Sequence, residues 1–251
     1  MKKKITVIGC GYVGIVTSIG FSEIGYNVIC TDKDPDKINN LQSGTIPFYE
    51  PGLNRLRTRN VIDDRLIFSK DIKESIKKAD IVIIAVETTP LKTWETDLSQ
   101  IKSAVQTIIE SICHYQLIIM KNIVPPGTNH LFSQYVKSQV GNDFDWISNP
   151  EFFREGNAVQ DFFSPERIVI GHETQTGKSA ISQLFRTCYW LDTPFLYTDF
   201  TSSELIYYAS NPYLGKYCSI SNLAQQPEKF VSDHEWFKDG IGLDAEYYGS
   251  Y

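Results

Sequence analysis

Cysteine and histidine are scarce in this 251-residue chain, and their placement removes several function classes at once. The five cysteines, Cys10, Cys30, Cys113, Cys188 and Cys218, are odd in number, scattered, and form no C-x-x-C pair. Such a pattern supports neither a disulfide framework nor a zinc cluster, so the thiols read as reduced residues of a core. His114, His130, His172 and His234 are equally dispersed, and no metal site is expected. No apolar run approaches the ~20 residues of a membrane-spanning helix. A basic block is also missing, and the formal charge of −6 disfavours nucleic acid or an anionic membrane as the main partner. Lys2-Lys3-Lys4 before an apolar run resembles an export signal, but three glycines interrupt the run and Glu23 follows without a cleavage site. The expected location is the cytoplasm.

Against these absences one stretch stands out, from Ile5 to Asp32. A short β-branched run is followed by Gly9-Cys10-Gly11-Tyr12-Val13-Gly14, an apolar helical run to Gly25, a second β-rich run and a terminal carboxylate. Gly9 permits the tight turn off the strand, Gly11 lets backbone approach a pyrophosphate, and Gly14 lets helix and sheet pack closely. The helix N-terminus then faces the phosphates with free N–H groups and a favourable dipole. Asp32 lies near the spacing of about 20 residues expected of a carboxylate that binds ribose hydroxyls. It favours NAD over NADP, whose extra phosphate it would repel.

The rest of the chain, 42% apolar and long enough for a full core, continues in the same idiom. Asp34 and Pro35 read as the cap and first residue of a helix that Gly44 closes. Ile81 to Val86 is apolar throughout, as a parallel strand covered on both faces must be. Strand and helix patterns alternate to about residue 198, which predicts an α/β fold: one Rossmann-like, doubly wound parallel sheet whose ligands sit at the C-terminal ends of its strands. Residues 1–198 are therefore expected to form the dinucleotide-binding domain. From 199 to 251 the pattern is helical, with Ser202-Ser203-Glu204 expected to cap a long helix toward Ala224 and Pro212 expected to kink it. The apolar helices there lack a visible partner, so the end reads as an incomplete helical domain.

With these segments laid out, the chain resembles the UDP-glucose/GDP-mannose 6-dehydrogenase family over essentially its whole length. The resemblance rests on the glycine turn and on Tyr49-Glu50-Pro51-Gly52-Leu53, Asp97-Leu98-Ser99 and Val124-Pro125-Pro126-Gly127-Thr128. It rests equally on Asn149 to Gly156, Pro165 to Gly171 and Gly240 to Asp244. It implies oxidation of a sugar-nucleotide C6 alcohol to a carboxylate with NAD, on a UDP-sugar. A base takes the alcohol proton as hydride leaves, and a thiolate holds the aldehyde for a second hydride transfer. The implied catalytic residues are Glu151, Glu155 and Asn211. The implied cofactor residues are Gly9, Gly11, Tyr12, Val13, Gly14, Asp32, Lys37, Val86, Thr88 and Glu155. A homodimer through helix 201–224 is implied as well.

The match departs from the family in informative places. The family lysine falls on Tyr207, which can donate a hydrogen bond but brings no ammonium charge. The family threonine falls on Ile123, and a family glycine on Glu87, whose carboxylate would repel or obstruct a phosphate. The family cysteine motif would lie beyond Tyr251. Two readings stay open: a UDP-sugar dehydrogenase, or a catalytically inactive nucleotide-binding module derived from one.

Overall fold

The structure, a computed structural model, describes residues 3–88, 96–186 and 193–210, and side chains in the last helix as far as 208. Asn211, Cys188, Cys218, Pro212 and the expected dimer helix beyond 210 lie outside the described residues. The elements are β1 (Lys4–Ile8), α1 (Tyr12–Ile24), β2 (Asn27–Thr31), α2 (Pro35–Ser43), α3 (Leu53–Ile62) and β3 (Leu66–Ser69). There follow α4 (Ile72–Lys77), β4 (Ile81–Ile84), α5 (Ser99–Ile109), β5 (Gln116–Met120), α6 (Thr128–Val140) and β6 (Phe144–Ser148). The last are α7 (Ala158–Phe163), β7 (Ile168–His172), α8 (Gln175–Arg186), β8 (Phe195–Thr198) and α9 (Phe200–Ser210).

One sheet runs in the order β3-β2-β1-β4-β5-β6-β7-β8. Its central strands are apolar on both faces because two cores flank it. Ile81 and Ile83 of β4, with Leu117 and Ile119 of β5, join the core under α1, α2, α3, α7 and α8. Their neighbours Val82, Ile84, Ile118 and Met120 join the opposite core under α4, α5 and α6. Period-two alternation therefore feeds two cores where a solvated sheet would feed one. The doubly wound α/β expectation holds.

Local signals place the helix ends as read. Asp34 caps α2, accepting from the amides of Asp36 at 2.9 Å and Lys37 at 3.4 Å, with Pro35 in the first turn and Gly44 left-handed at φ 103°. Two expectations change. The sheet is not wholly parallel: β6 and β7 pair antiparallel, and β8 then runs parallel to β7. The six residues of α7 span ~9 Å at 1.5 Å per residue, too short to return along a strand of ~17 Å. The chain therefore re-enters the sheet at the end it left, pinned where the Asn149 side-chain Nδ2 donates to the Val169 carbonyl at 2.9 Å. Nor do Ser202-Ser203-Glu204 form a cap. Asp199 does that, accepting from the Ser202 amide and hydroxyl, both at 2.8 Å, while the three residues are buried one turn further in.

Candidate functional site

The parallel strands end in a crown of loops, of which the glycine turn between β1 and α1 is one. Gly9 has φ 110°, donates its amide to the Thr31 carbonyl at 2.7 Å, and a Cβ there would fall 2.3 Å from the Ala85 oxygen. At Gly14 a Cβ would fall 1.9 Å from the Gly9 oxygen, so β1 and α1 touch through backbone. Gly11 differs: the nearest atoms to its imagined Cβ are Glu87 Cγ at 3.7 Å and Oε1 at 3.9 Å. Absence of a side chain at Gly11 thus keeps open the space beside the first turn of α1, whose N–H groups have no intrahelical acceptor. Val13, half-buried, sits in that same turn.

Asp32 stands at the end of β2, its carboxylate gripped by two backbone amides: Cys10 to Oδ2 at 2.7 Å and Asp34 to Oδ1 at 2.9 Å. Each oxygen keeps lone-pair capacity for a hydroxyl. Behind the turn, Cys10 and Cys30 lie with sulfurs 3.2 Å apart, both buried, and the mutual hydrogen bond with burial pushes the Cys10 thiol far up. Such a thiol is inert, as the core reading expects. Lys37, from the first turn of α2, reaches across the mouth of the site to Glu87, Nζ to Oε1 at 2.6 Å. That bond, above all, raises the Lys37 pKa. Glu87 therefore leans over Gly11, tethered from the other side of the turn. Val86 and Thr88, which flank Glu87, are half-buried, and the Val86 carbonyl accepts from the Asn122 side-chain amide.

The two glutamates of the Asn149–Gly156 loop part company. Residues 151–154 have no regular structure, so four-residue spacing does not align them. Glu151 is buried: its Oε1 accepts the Phe152 amide at 2.9 Å and its Oε2 lies 2.6 Å from Lys121 Nζ. Burial pushes the Glu151 carboxyl up, and Lys121 draws it back. Lys121 also donates to Asn149 Oδ1 at 3.1 Å. Glu155, in contrast, is exposed beside Tyr12. Tyr207 is half-buried against Phe152, ring centroids 5.3 Å apart, and Phe152 in turn lies under the Arg167 guanidinium at 4.5 Å. Ile123 is half-buried. Because β7 runs backwards, the segment before it, with Arg167, joins this crown; a parallel strand would have presented the segment after it.

Three site contributors are given no site role by the sequence: Glu50, read only as part of a family motif, Lys121, and Glu204, expected only to help cap its own helix. Lys121 follows an apolar strand directly, and a charged residue at that spot is a legible signal. Glu50 accepts the Tyr12 hydroxyl at 2.7 Å and the Gly156 amide at 3.0 Å. Glu204 of α9 caps α6 from outside, accepting from Gly127 N at 2.5 Å, Asn129 N at 2.7 Å and Asn129 Nδ2 at 2.8 Å.

The turn suits a dinucleotide: an open Gly11, helix amides without an intrahelical acceptor, and a carboxylate with spare acceptor capacity. Among the described residues no cluster of His, Cys, Asp or Glu is arranged to hold a metal ion, and no helix is long and apolar enough to cross a membrane.

Comparison with known proteins agrees with this geometry. Residues 3–189 match the model of the UDP-glucose/GDP-mannose dehydrogenase family, NAD binding domain. The chain is 43% identical over 246 residues to the UDP-glucose 6-dehydrogenase TuaD of Bacillus subtilis, covering 97% of this chain and 53% of that protein. It superposes on a UDP-glucose dehydrogenase from the archaeon Pyrobaculum islandicum with TM-score 0.80 and 32% identity, covering 98% of this chain and 58% of that one. A GDP-mannose dehydrogenase from Pseudomonas aeruginosa gives TM-score 0.79 at 28% identity, covering 87% and 51%. The chain spans about half the length of the relatives it matches. With the glycine turn, its tethered aspartate and the matched residues in agreement, the chain belongs to the UDP-glucose/GDP-mannose dehydrogenase family and carries that family's NAD-binding domain.

Proposed function

We propose that this chain supplies the NAD-binding part of a UDP-sugar 6-dehydrogenase of the UDP-glucose to UDP-glucuronate type. The observation that carries the reading is the glycine turn with Asp32 in a chain 43% identical to a named UDP-glucose 6-dehydrogenase. Gly9, Gly11 and Gly14 shape the seat, Tyr12 and Val13 flank the phosphates, and Asp32 takes the adenosine ribose. Lys37, Val86, Thr88 and Glu155 border the cofactor. NAD bound there supplies the hydride acceptor. Of the carboxylates, Glu155 is exposed and meets substrate or water. Glu151, buried against Lys121, holds the loop behind it. Asn211 completes the catalytic set, with Tyr207 as a hydrogen-bond donor in place of an ammonium. Residues 1–198 form the cofactor domain and 199–251 begin a helical domain. A reduced cytoplasm, where NAD and nucleotide sugars are made, suits the free thiols Cys10, Cys30 and Cys113.

Calorimetric titration with NAD, followed by assay of NADH formation from UDP-glucose, tests this reading. Saturable NAD binding is the expected result and its absence would sink the reading, while the assay reports whether this part of the enzyme turns over by itself. One observation favours a second reading, an NAD-binding module without turnover: Glu87 is tethered over Gly11 by Lys37, and Tyr207 stands where a lysine is expected. NADH formation by the chain removes that alternative.

A further inference from the structure

We propose that Glu50 is a positioning residue that fastens the loop carrying Glu155 to the first turn of α1, so that seating a dinucleotide on the glycine turn and placing Glu155 are one event. The inference rests on the reading of the turn as an NAD seat. Tyr12 is the first residue of α1, directly after Gly11, and its ring packs on Phe48 at 4.8 Å. Its hydroxyl donates to Glu50 Oε2 at 2.7 Å and reaches the Arg154 carbonyl at 3.4 Å. The Gly156 amide donates to the same Glu50 oxygen at 3.0 Å. One carboxylate oxygen therefore joins the cofactor helix, the loop before α3 and the loop of the two glutamates.

Glu155 lies between two anchored neighbours. On one side Arg154 is held to Asp161 of α7, through its amide at 2.8 Å and its guanidinium at 2.6 Å. On the other, Gly156 turns left-handed, with φ 83° and nothing within 4 Å of an imagined Cβ, so conformation and not crowding calls for glycine there. That turn aims its amide at Glu50. Glu50 itself is 5% exposed, and its carbonyl accepts the Leu53 amide at 3.2 Å as α3 begins. Burial and the Glu50 carboxylate push the Tyr12 hydroxyl up, so it stays a donor.

Oε2 satisfies both donors, which a glutamine oxygen would do equally well, while Oε1 is buried without a hydrogen-bond partner. Such an oxygen is costly to bury. The arrangement resembles a functional joint, in which a change at Tyr12 is passed through Glu50 to Gly156 and so to its neighbour Glu155.

The test titrates NAD into the full chain and into Glu50→Ala, Glu50→Gln and Tyr12→Phe, while NMR follows exchange of the Gly156 amide with and without NAD. In the wild type NAD should slow that exchange. Glu50→Ala should abolish the slowing and weaken NAD about tenfold, the scale of losing a buried hydrogen-bond acceptor that two donors share. Glu50→Gln should restore most of both, and Tyr12→Phe, which removes a single hydroxyl, should uncouple exchange from NAD without unfolding the domain. NAD binding that leaves Gly156 exchange unchanged in the wild type would overturn the inference and spare the cofactor reading. So would a Glu50→Ala or Tyr12→Phe chain with a lower melting temperature but wild-type NAD response. No NAD binding by the wild type would overturn both.

Discussion

At the scale of single residues, the glycines of the turn separate folding from binding. A methyl group at Gly14 meets the Gly9 carbonyl, a backbone group that cannot swing away as a side chain would. Gly14→Ala should therefore cost ~3 kcal/mol or more of stability, read from urea unfolding. Gly11→Ala meets only the flexible Glu87 side chain, so its unfolding midpoint should stay near wild type while NAD affinity falls. The buried pair of Lys121 and Glu151 yields a pH signature. Glu151 has its pKa raised by burial, so its contribution is fully present below its ordinary value of 4.5 and is lost as pH rises through the folded value. Removing the ammonium with Lys121→Met pushes that carboxyl further up and deepens the loss. The variant should be destabilised by about 3–5 kcal/mol near pH 8, and by clearly less near pH 5, in parallel denaturation series. A cost independent of pH would show that the pair acts by packing alone.

Among the elements, α9 is bound to the sheet by contacts that lie far away in sequence. Ser203 Oγ donates to Ser148 Oγ at 2.7 Å, and a Cβ at Gly171 would fall 2.5 Å from that hydroxyl, so β7 and α9 approach closely at a glycine. Glu204 then supplies α6 with the cap that Gly127 lacks. The anion is well matched to the helix dipole and to unpaired amides. Glu204→Ala should cost about 2–3 kcal/mol, the range for a charged hydrogen-bond partner lost from a buried site. Exchange of the Gly127 and Asn129 amides should quicken in the same variant. If those amides keep their protection, the cap is supplied from elsewhere. The same contacts tie α9, the last described helix, to α6 and to the end of β6, so it packs as part of the sheet domain.

For the molecule as a whole, the balance of interest is between the chain's own anion and the ligand's. The Lys37–Glu87 pair is solvent-exposed, and pairs of that kind contribute ~0–1 kcal/mol. NAD should therefore displace Glu87 with a modest penalty: Glu87→Gln should tighten NAD a few-fold, on the scale of such a surface pair, with the difference shrinking as salt is added. Equal affinities at low salt would show that Glu87 swings clear at no cost. Saturating NAD should stabilise the chain by mass action, by about 2.7 kcal/mol at 100 times Kd, read as a rise in melting temperature.

Several features of fold and site were legible in the amino-acid sequence because their causes are local. The glycine turn, the Asp34 cap and the left-handed Gly44 depend on atoms a few residues apart, and the apolar strands announce two covered faces by composition alone. Asp32 was legible for the same reason, through its fixed distance from the turn. What tertiary structure decided is everything that joins distant segments. Alternating patterns carry no strand direction, so the reversal at β7 follows only from the shortness of α7 in place. The burial of Glu151 on Lys121, 30 positions away in sequence, and the capping of α6 by Glu204, 75 residues beyond Asn129, need the strand order before any spacing has meaning. Short-range hydrogen bonds are written into neighbouring residues. The charges that surround Glu151 and the joint at Glu50 exist only once the sheet has brought its loops to one end.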